Sequence, residues 1–224
     1  VAGTAIVAAM DIPAPTTLGP GRLVVDEAEH PVALLWVGHG AGGGIEAADL
    51  AALSAALPAL GVTVVRYEQP WRVAGRRIAP RPAALDTAWL DAAPLVGRLA
   101  GDLPVVVGGR SAGARVACRT AASVGAAGVV CLAFPLHPPG RPEKSRLDEL
   151  LVPEVPVLVL QGDRDTFGDA AAVAAAIGAR THIRVVAVPG ADHGMKPLAS
   201  GPLDAPGIAA LVTTSVAGFV HALL

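Results

Sequence analysis

Cysteine is almost missing from this 224-residue chain, which has only Cys118 and Cys131. Two thiols supply neither a disulfide framework nor a zinc-binding spacing, and buried thiols in a reducing cytoplasm are the expected state. Charge is sparse too: 16% of residues are charged and the formal net charge is -2 at pH 7. That balance gives no general attraction to nucleic acid or to an anionic membrane. Mean hydropathy is +0.55, yet Gly, Pro or a charge interrupts each apolar run short of the roughly 18 residues that a membrane span needs. The apolar stretch Val1 to Met10 lacks a basic n-region, so a strand is expected there rather than a secretion signal. No stretch reads as an interdomain linker, a repeat or a low-complexity tail, which leaves one domain over residues 1–224.

What is present is an alternation of short apolar runs with helical patterns. Strands are expected at Ala5 to Met10, Arg22 to Asp26, Val32 to Val37, Val62 to Arg66, Pro104 to Val107, Val129 to Ala133, Val157 to Leu160 and His182 to Val188. The first two, separated by prolines and glycines, suggest an antiparallel pair at one edge. Helices are expected at Glu46 to Leu60, Ala84 to Ala100, from Ser111 to about Val124, Glu143 to Leu151, Asp169 to Ile177 and Pro206 to Leu223. The long segment Tyr67 to Pro82 reads as a loop. Such an order predicts an α/β fold, a mainly parallel sheet with helices on both faces and chemistry at the carboxyl ends of its strands.

At one of those ends, the run Val105 to Val107 breaks at Gly108-Gly109, and Gly109-Arg110-Ser111-Ala112-Gly113 fits G-x-S-x-G. Small flanking residues let the chain turn so sharply that a serine hydroxyl projects above the next helix's N–H groups. The loop Gly38-His39-Gly40-Ala41-Gly42-Gly43-Gly44 admits two readings. It matches G-x-G-x-x-G, with Glu68 as a ribose-binding acid. It equally suits an oxyanion loop in which the Ala41 and Ala112 N–H groups face one developing negative charge, and the serine turn favours this second reading. Asp163 and Asp165 compete as the acid after the strand ending at Leu160. His193 follows the last strand on a loop of small residues. The order serine, acid, histidine over three strand ends points to a nucleophile, its base and the group that orients the base.

These stretches, together with Phe134-Pro135-Leu136-His137-Pro138-Pro139-Gly140, resemble the α/β-hydrolase superfamily and within it the small dienelactone-hydrolase-like branch. More narrowly, Arg110 and the Phe134 to Gly140 run resemble the testis-expressed and nonspecific-lethal-complex hydrolase-like family with its bacterial members. The resemblance implies a serine hydrolase fold without a cap domain, cytoplasmic and without metal or cofactor. Its acid-loop spacing selects Asp165, giving Ser111, His193 and Asp165 as the catalytic residues. Ser111 stands where dienelactone hydrolases have cysteine, so lactone hydrolysis is not implied. A small acyl substrate bearing an ester, thioester or amide is implied instead. Some eukaryotic members serve in complexes, which implies a protein partner as the alternative to catalysis.

Candidate substrate contacts are His39, Gly42, Trp71, Arg72 and His137. For both histidines a ring hydrogen-bonded to backbone is the simpler role. Arg66, Arg72, Arg76, Arg77 and Arg81 accompany Trp71 at or beyond a strand end. A solvated loop is the simpler reading of them, an anionic-substrate or partner site the other.

Overall fold

Continuous apolar runs become the interior strands of one sheet in a computed structural model that describes residues 9–224. They are β3 (Ala33–Gly38), β4 (Val62–Glu68), β5 (Val105–Arg110), β6 (Gly128–Leu132) and β7 (Val157–Gly162), with β8 (Ile183–Val188) at one edge. At the other edge lie β1 (Met10–Thr16) and β2 (Gly19–Asp26). The order is β1-β2-β4-β3-β5-β6-β7-β8. From β4 to β8 all pairs are parallel, while β1 with β2 and β2 with β4 are antiparallel.

The antiparallel edge pair is present, but its first strand lies later than the sequence suggests. Pro13 and Pro15 look like breakers, yet both are exposed and alternate with the half-buried Ile12 and the buried Ala14. An edge strand tolerates proline where the missing N–H would face solvent. The expected strand at Ala5 to Met10 lies, up to Ala8, outside the described residues.

Helices α1 (Ala48–Ala56), α2 (Pro70–Val73), α3 (Pro82–Ala100), α4 (Ala112–Thr120), α5 (Leu147–Leu150), α6 (Ala170–Ile177) and α7 (Ala205–His221) connect or follow the strands. Leu50 and Leu53 of α1 and Val212, Val216 and Val220 of α7 pack on one face. Trp89 of α3, Val116 of α4 and Val173 of α6 pack on the other. Four expected boundaries move for local reasons. Pro58 cannot continue α1, so a separate 3₁₀ turn, Pro58–Leu60, takes its end. Tyr67 extends β4 because its ring is buried and its hydroxyl donates to the Ala88 carbonyl at 2.8 Å. Pro70, ready-made for a first helical turn, starts α2 inside the segment expected to be loop. The helix after Ser111 stops at Thr120, followed by a 3₁₀ turn that closes at a left-handed Gly125.

Half-buried charge ties the helices on one face together. Arg115 and Arg119 of α4 both pair with Glu149 of α5, and Arg119 also reaches Asp86 of α3 at 2.6 Å. Burial alone would raise the Glu149 carboxyl, but the two guanidinium groups outweigh it and hold it below its ordinary value. Cys118 of α4 and Cys131 of β6 are free and buried, their sulfurs 3.5 Å apart. Hydrogen bonding to Cys118, then burial, pushes the Cys131 thiol well up. No helix among the described residues is long and apolar enough to cross a membrane.

Candidate active site

Between β5 and α4 the chain turns with no room to spare. A Cβ at Gly109 would lie 2.5 Å from the Gly38 carbonyl oxygen, and one at Gly113 would run into the same carbonyl. Both positions of the pattern are therefore glycine because the turn is pressed against the end of β3. Ser111 itself sits at φ 52° and ψ -108°, costly for a residue with a Cβ, and its N–H donates to the Leu132 carbonyl at 2.9 Å. Its side chain caps no helical N–H. The Oγ projects instead toward the loop after β8.

There the Ser111 Oγ lies 3.0 Å from His193 Nε2, and His193 Nδ1 lies 2.7 Å from Asp165 Oδ2. A carboxylate only accepts, so the Nδ1 carries the proton and Nε2 is left to accept the serine hydroxyl. Asp165 is wholly enclosed while the His193 side chain is 20% exposed, which leaves the serine end open to a small molecule. Asp163, the rival acid, turns away and accepts the Gly190 N–H at 2.8 Å.

Three groups that sequence reasoning did not place in the site hold this arrangement, although Arg110 stands among its family marks. Gln161, the polar residue that ends the apolar run of β7, is buried and places its Nε2 2.9 Å from Asp165 Oδ2. The Phe167 N–H donates to Asp165 Oδ1 at 2.8 Å, and the Phe167 ring stacks on His193 at 4.1 Å. Arg110 donates from Nη2 to the His193 carbonyl at 2.5 Å and from Nε to Asp49 Oδ2 at 2.9 Å. A polar residue interrupting an apolar strand is a signal the sequence did carry. Asp49, 61 residues before Arg110, gave none.

The Asp49–Arg110 pair joins α1, the serine turn and the histidine loop. Burial raises the Asp49 carboxyl and Arg110 opposes it, so the pair is stable only as a pair. Arg110→Ala is expected to lower kcat at least tenfold with KM little changed, because it frees the His193 loop while leaving the cavity intact. It should also destabilise the fold by about 3–5 kcal/mol, the scale for orphaning a buried charge. Removing Asp49 as well should recover much of that stability in a denaturant titration but not the kcat. Recovery of both would reduce Arg110 to a purely structural role.

The glycine loop runs beside the serine: a Cβ at Gly40 would be 3.4 Å from that of Ser111, while none would meet anything within 4 Å at Gly42. Ala41 is exposed on this loop. The N–H of Ala112, first residue of α4, is one of those a helix start leaves free. His39 is buried, donating from Nδ1 to the Gly40 carbonyl at 2.8 Å and accepting the Gln69 N–H at Nε2 at 3.1 Å. Burial pushes its pKa down. With both nitrogens used, it offers a ligand only its ring. Glu68, the ribose-binding acid of the dinucleotide reading, is held by Arg22 at 3.0 Å.

Trp71 lies 5.5 Å from the His39 ring and lines a cavity with Ala41, Ala79, Leu85, Trp89 and Ala112. The Arg72 guanidinium lies against Gly44. His137 stands at the acid loop, its N–H donating to the Phe167 carbonyl at 3.0 Å and its Nδ1 to the Pro138 carbonyl at 3.0 Å. Arg66 does not belong with the other arginines of this region. It lies within β4, buried, and pairs with Asp26 at 3.2 Å and Glu46 at 3.6 Å. Among the described residues, no three His, Cys, Asp or Glu side chains gather as metal ligands would.

The fold recurs in proteins of low sequence identity. An alpha-beta serine hydrolase homologue from Coxiella burnetii superposes with a TM-score of 0.75 at 16% identity, over 95% of this chain and 100% of that one. A lidless serine hydrolase from Xanthomonas campestris gives 0.72 at 20%, over 95% of each chain. Dienelactone hydrolase from Anabaena variabilis gives 0.72 at 17%, over 95% of this chain and 97% of that one. No curated protein matches the chain. The narrower likeness to the testis-expressed and nonspecific-lethal-complex family rests on its motifs alone. The model of the alpha/beta hydrolase domain, however, matches residues 31–221, from just before β3 to the end of α7, and with that match the chain belongs to the alpha/beta hydrolase domain family.

Proposed function

We propose that the chain, acting as one domain, is a serine hydrolase that cleaves small ester, thioester or amide bonds through an acyl-enzyme. The observation that carries this reading is the unbroken line from Ser111 Oγ through the His193 ring to the enclosed Asp165 carboxylate. His193 Nε2 takes the hydroxyl proton as Oγ attacks the carbonyl carbon, and Asp165 favours the imidazolium that forms. The negative charge then growing on the carbonyl oxygen meets the Ala41 and Ala112 N–H groups. His193 returns its proton to the leaving group, the acyl group stays on Ser111, and a water deprotonated by the same Nε2 releases it.

A binding module that merely kept the fold would have no use for a serine held at φ 52°, a strain that costs on the order of 1–3 kcal/mol. Residues 133–156, where a cap would be inserted, hold only the one-turn α5. The site therefore stays open, with little exclusion of water and modest rates. Trp71, Leu85 and Trp89 bound the cavity beside Ala112, which suits a short acyl chain.

Para-nitrophenyl acetate and butyrate should be hydrolysed slowly, and kcat/KM should fall at least tenfold on going to the octanoate. Folded protein that cleaves none of the three overturns the hydrolase reading. A flat profile would remove the cavity as acyl site.

A further inference from the structure

The segment from Gln69 to Leu85 contains Arg72, Arg76, Arg77 and Arg81 and no Asp or Glu, in a chain whose net charge is -2. Trp71 and Ala79 both line the cavity that reaches Ala112 beside the serine, so the chain between them leaves that lining and returns to it. Arg76, Arg77 and Arg81 are exposed. Among the described residues none of the four arginines has a carboxylate within salt-bridge distance, a state shared with Arg98, Arg141, Arg146, Arg164, Arg180 and Arg184, while Arg22, Arg66, Arg110, Arg115 and Arg119 are paired. Ile78 stands among them, 85% exposed. The cavity itself, about 10 Å³ and open to solvent, is far below the roughly 300–1,000 Å³ that houses a drug-sized ligand. The acyl group is thus small and the leaving group lies outside the cavity.

We propose that this loop is a binding site for the phosphates of the leaving group, so that the enzyme takes short acyl groups carried as thioesters on a phosphorylated carrier. Guanidinium groups match phosphate oxygens two at a time, and arginines spread along a loop suit several phosphates better than one carboxylate. In the reaction, Oγ of Ser111 bonds to the thioester carbon and the C–S bond breaks. The sulfur leaves with the proton from His193, and water then releases the carboxylic acid. The proposal rests on the hydrolase reading for its chemistry but not for its binding site.

Coenzyme A, with three phosphates, is a suitable probe, and pantetheine is its phosphate-free counterpart. By calorimetry, coenzyme A should bind the protein at least 30-fold more tightly than pantetheine, and more weakly as salt is raised. The triple variant Arg76→Ala, Arg77→Ala, Arg81→Ala should lose that preference, while Arg184→Ala, exposed on the far part of β8, should keep it. Acetyl-coenzyme A should likewise exceed S-acetyl-N-acetylcysteamine in kcat/KM by at least 30-fold, a ratio the triple variant brings near one. Equal binding of coenzyme A and pantetheine, or a triple variant that binds like the parent, overturns the proposal. Coenzyme A bound as described with neither thioester cleaved instead overturns the hydrolase reading and leaves the phosphate site standing.

Discussion

A fluorophosphonate will label this protein once, on the peptide containing Ser111, and Ser111→Ala will take up none. The reagent needs a nucleophile whose proton has somewhere to go and an oxygen site ready for negative charge. His193 Nε2 at 3.0 Å supplies the first, and the N–H groups of Ala112 and Ala41 are proposed to supply the second. Oγ bonds to phosphorus, fluoride leaves, and the adduct mimics the tetrahedral intermediate, so reaction outpaces that of an ordinary surface serine by orders of magnitude. His193→Ala should slow labelling at least a hundredfold, because nothing else accepts the proton. Intact-mass spectrometry counts the adducts and peptide mapping places them. Folded protein that stays unlabelled would return the chain to the partner-binding alternative.

Most of the framework behind that expectation was legible because it rests on local chemistry. Short apolar runs rich in valine and leucine suit strands covered on both faces, whereas the alanine-rich run Ala170–Ile177 is a helix, and glycines at 109 and 113 are demanded by a turn packed on the Gly38 carbonyl. The elements that moved did so where tertiary context outweighs local preference. Pro13 and Pro15 read as breakers until β1 is known to be an edge, and Tyr67 leaves the loop because its hydroxyl finds a carbonyl on α3. The supports of the candidate site were least legible. Asp49 meets Arg110 across 61 positions of sequence, and Arg66 looks like one more loop arginine until Asp26 and Glu46 close around it. Partners so distant leave no periodicity to read.

The choice between the two acids of the β7 loop gives the second large expected effect. Asp165 uses both oxygens: Oδ1 accepts the Phe167 N–H, and Oδ2 accepts Gln161 Nε2 and His193 Nδ1. An asparagine there must point its NH₂ at a donor whichever way it turns. The Phe167 N–H is fixed in the backbone, whereas on the other side the imidazole can shift its proton to the other nitrogen and the Gln161 amide, whose Oε1 is unpartnered, can turn that oxygen inward, so the NH₂ settles toward His193. The histidine then carries its proton on Nε2, facing the serine hydroxyl, and can no longer accept from it. Asp165→Asn should therefore lower kcat for a short ester by about 10⁴-fold with little change in melting temperature, the scale for a histidine held in the wrong tautomer. Among the described residues Asp163 accepts only the Gly190 N–H, a bond that an asparagine oxygen makes equally well. Asp163→Asn should change kcat by less than about threefold, a bond kept being a bond whose energy is kept. Comparable losses in the two variants would mean that His193 is oriented by something other than the Asp165 carboxylate, and the larger loss at Asp163 would transfer the acid's role there.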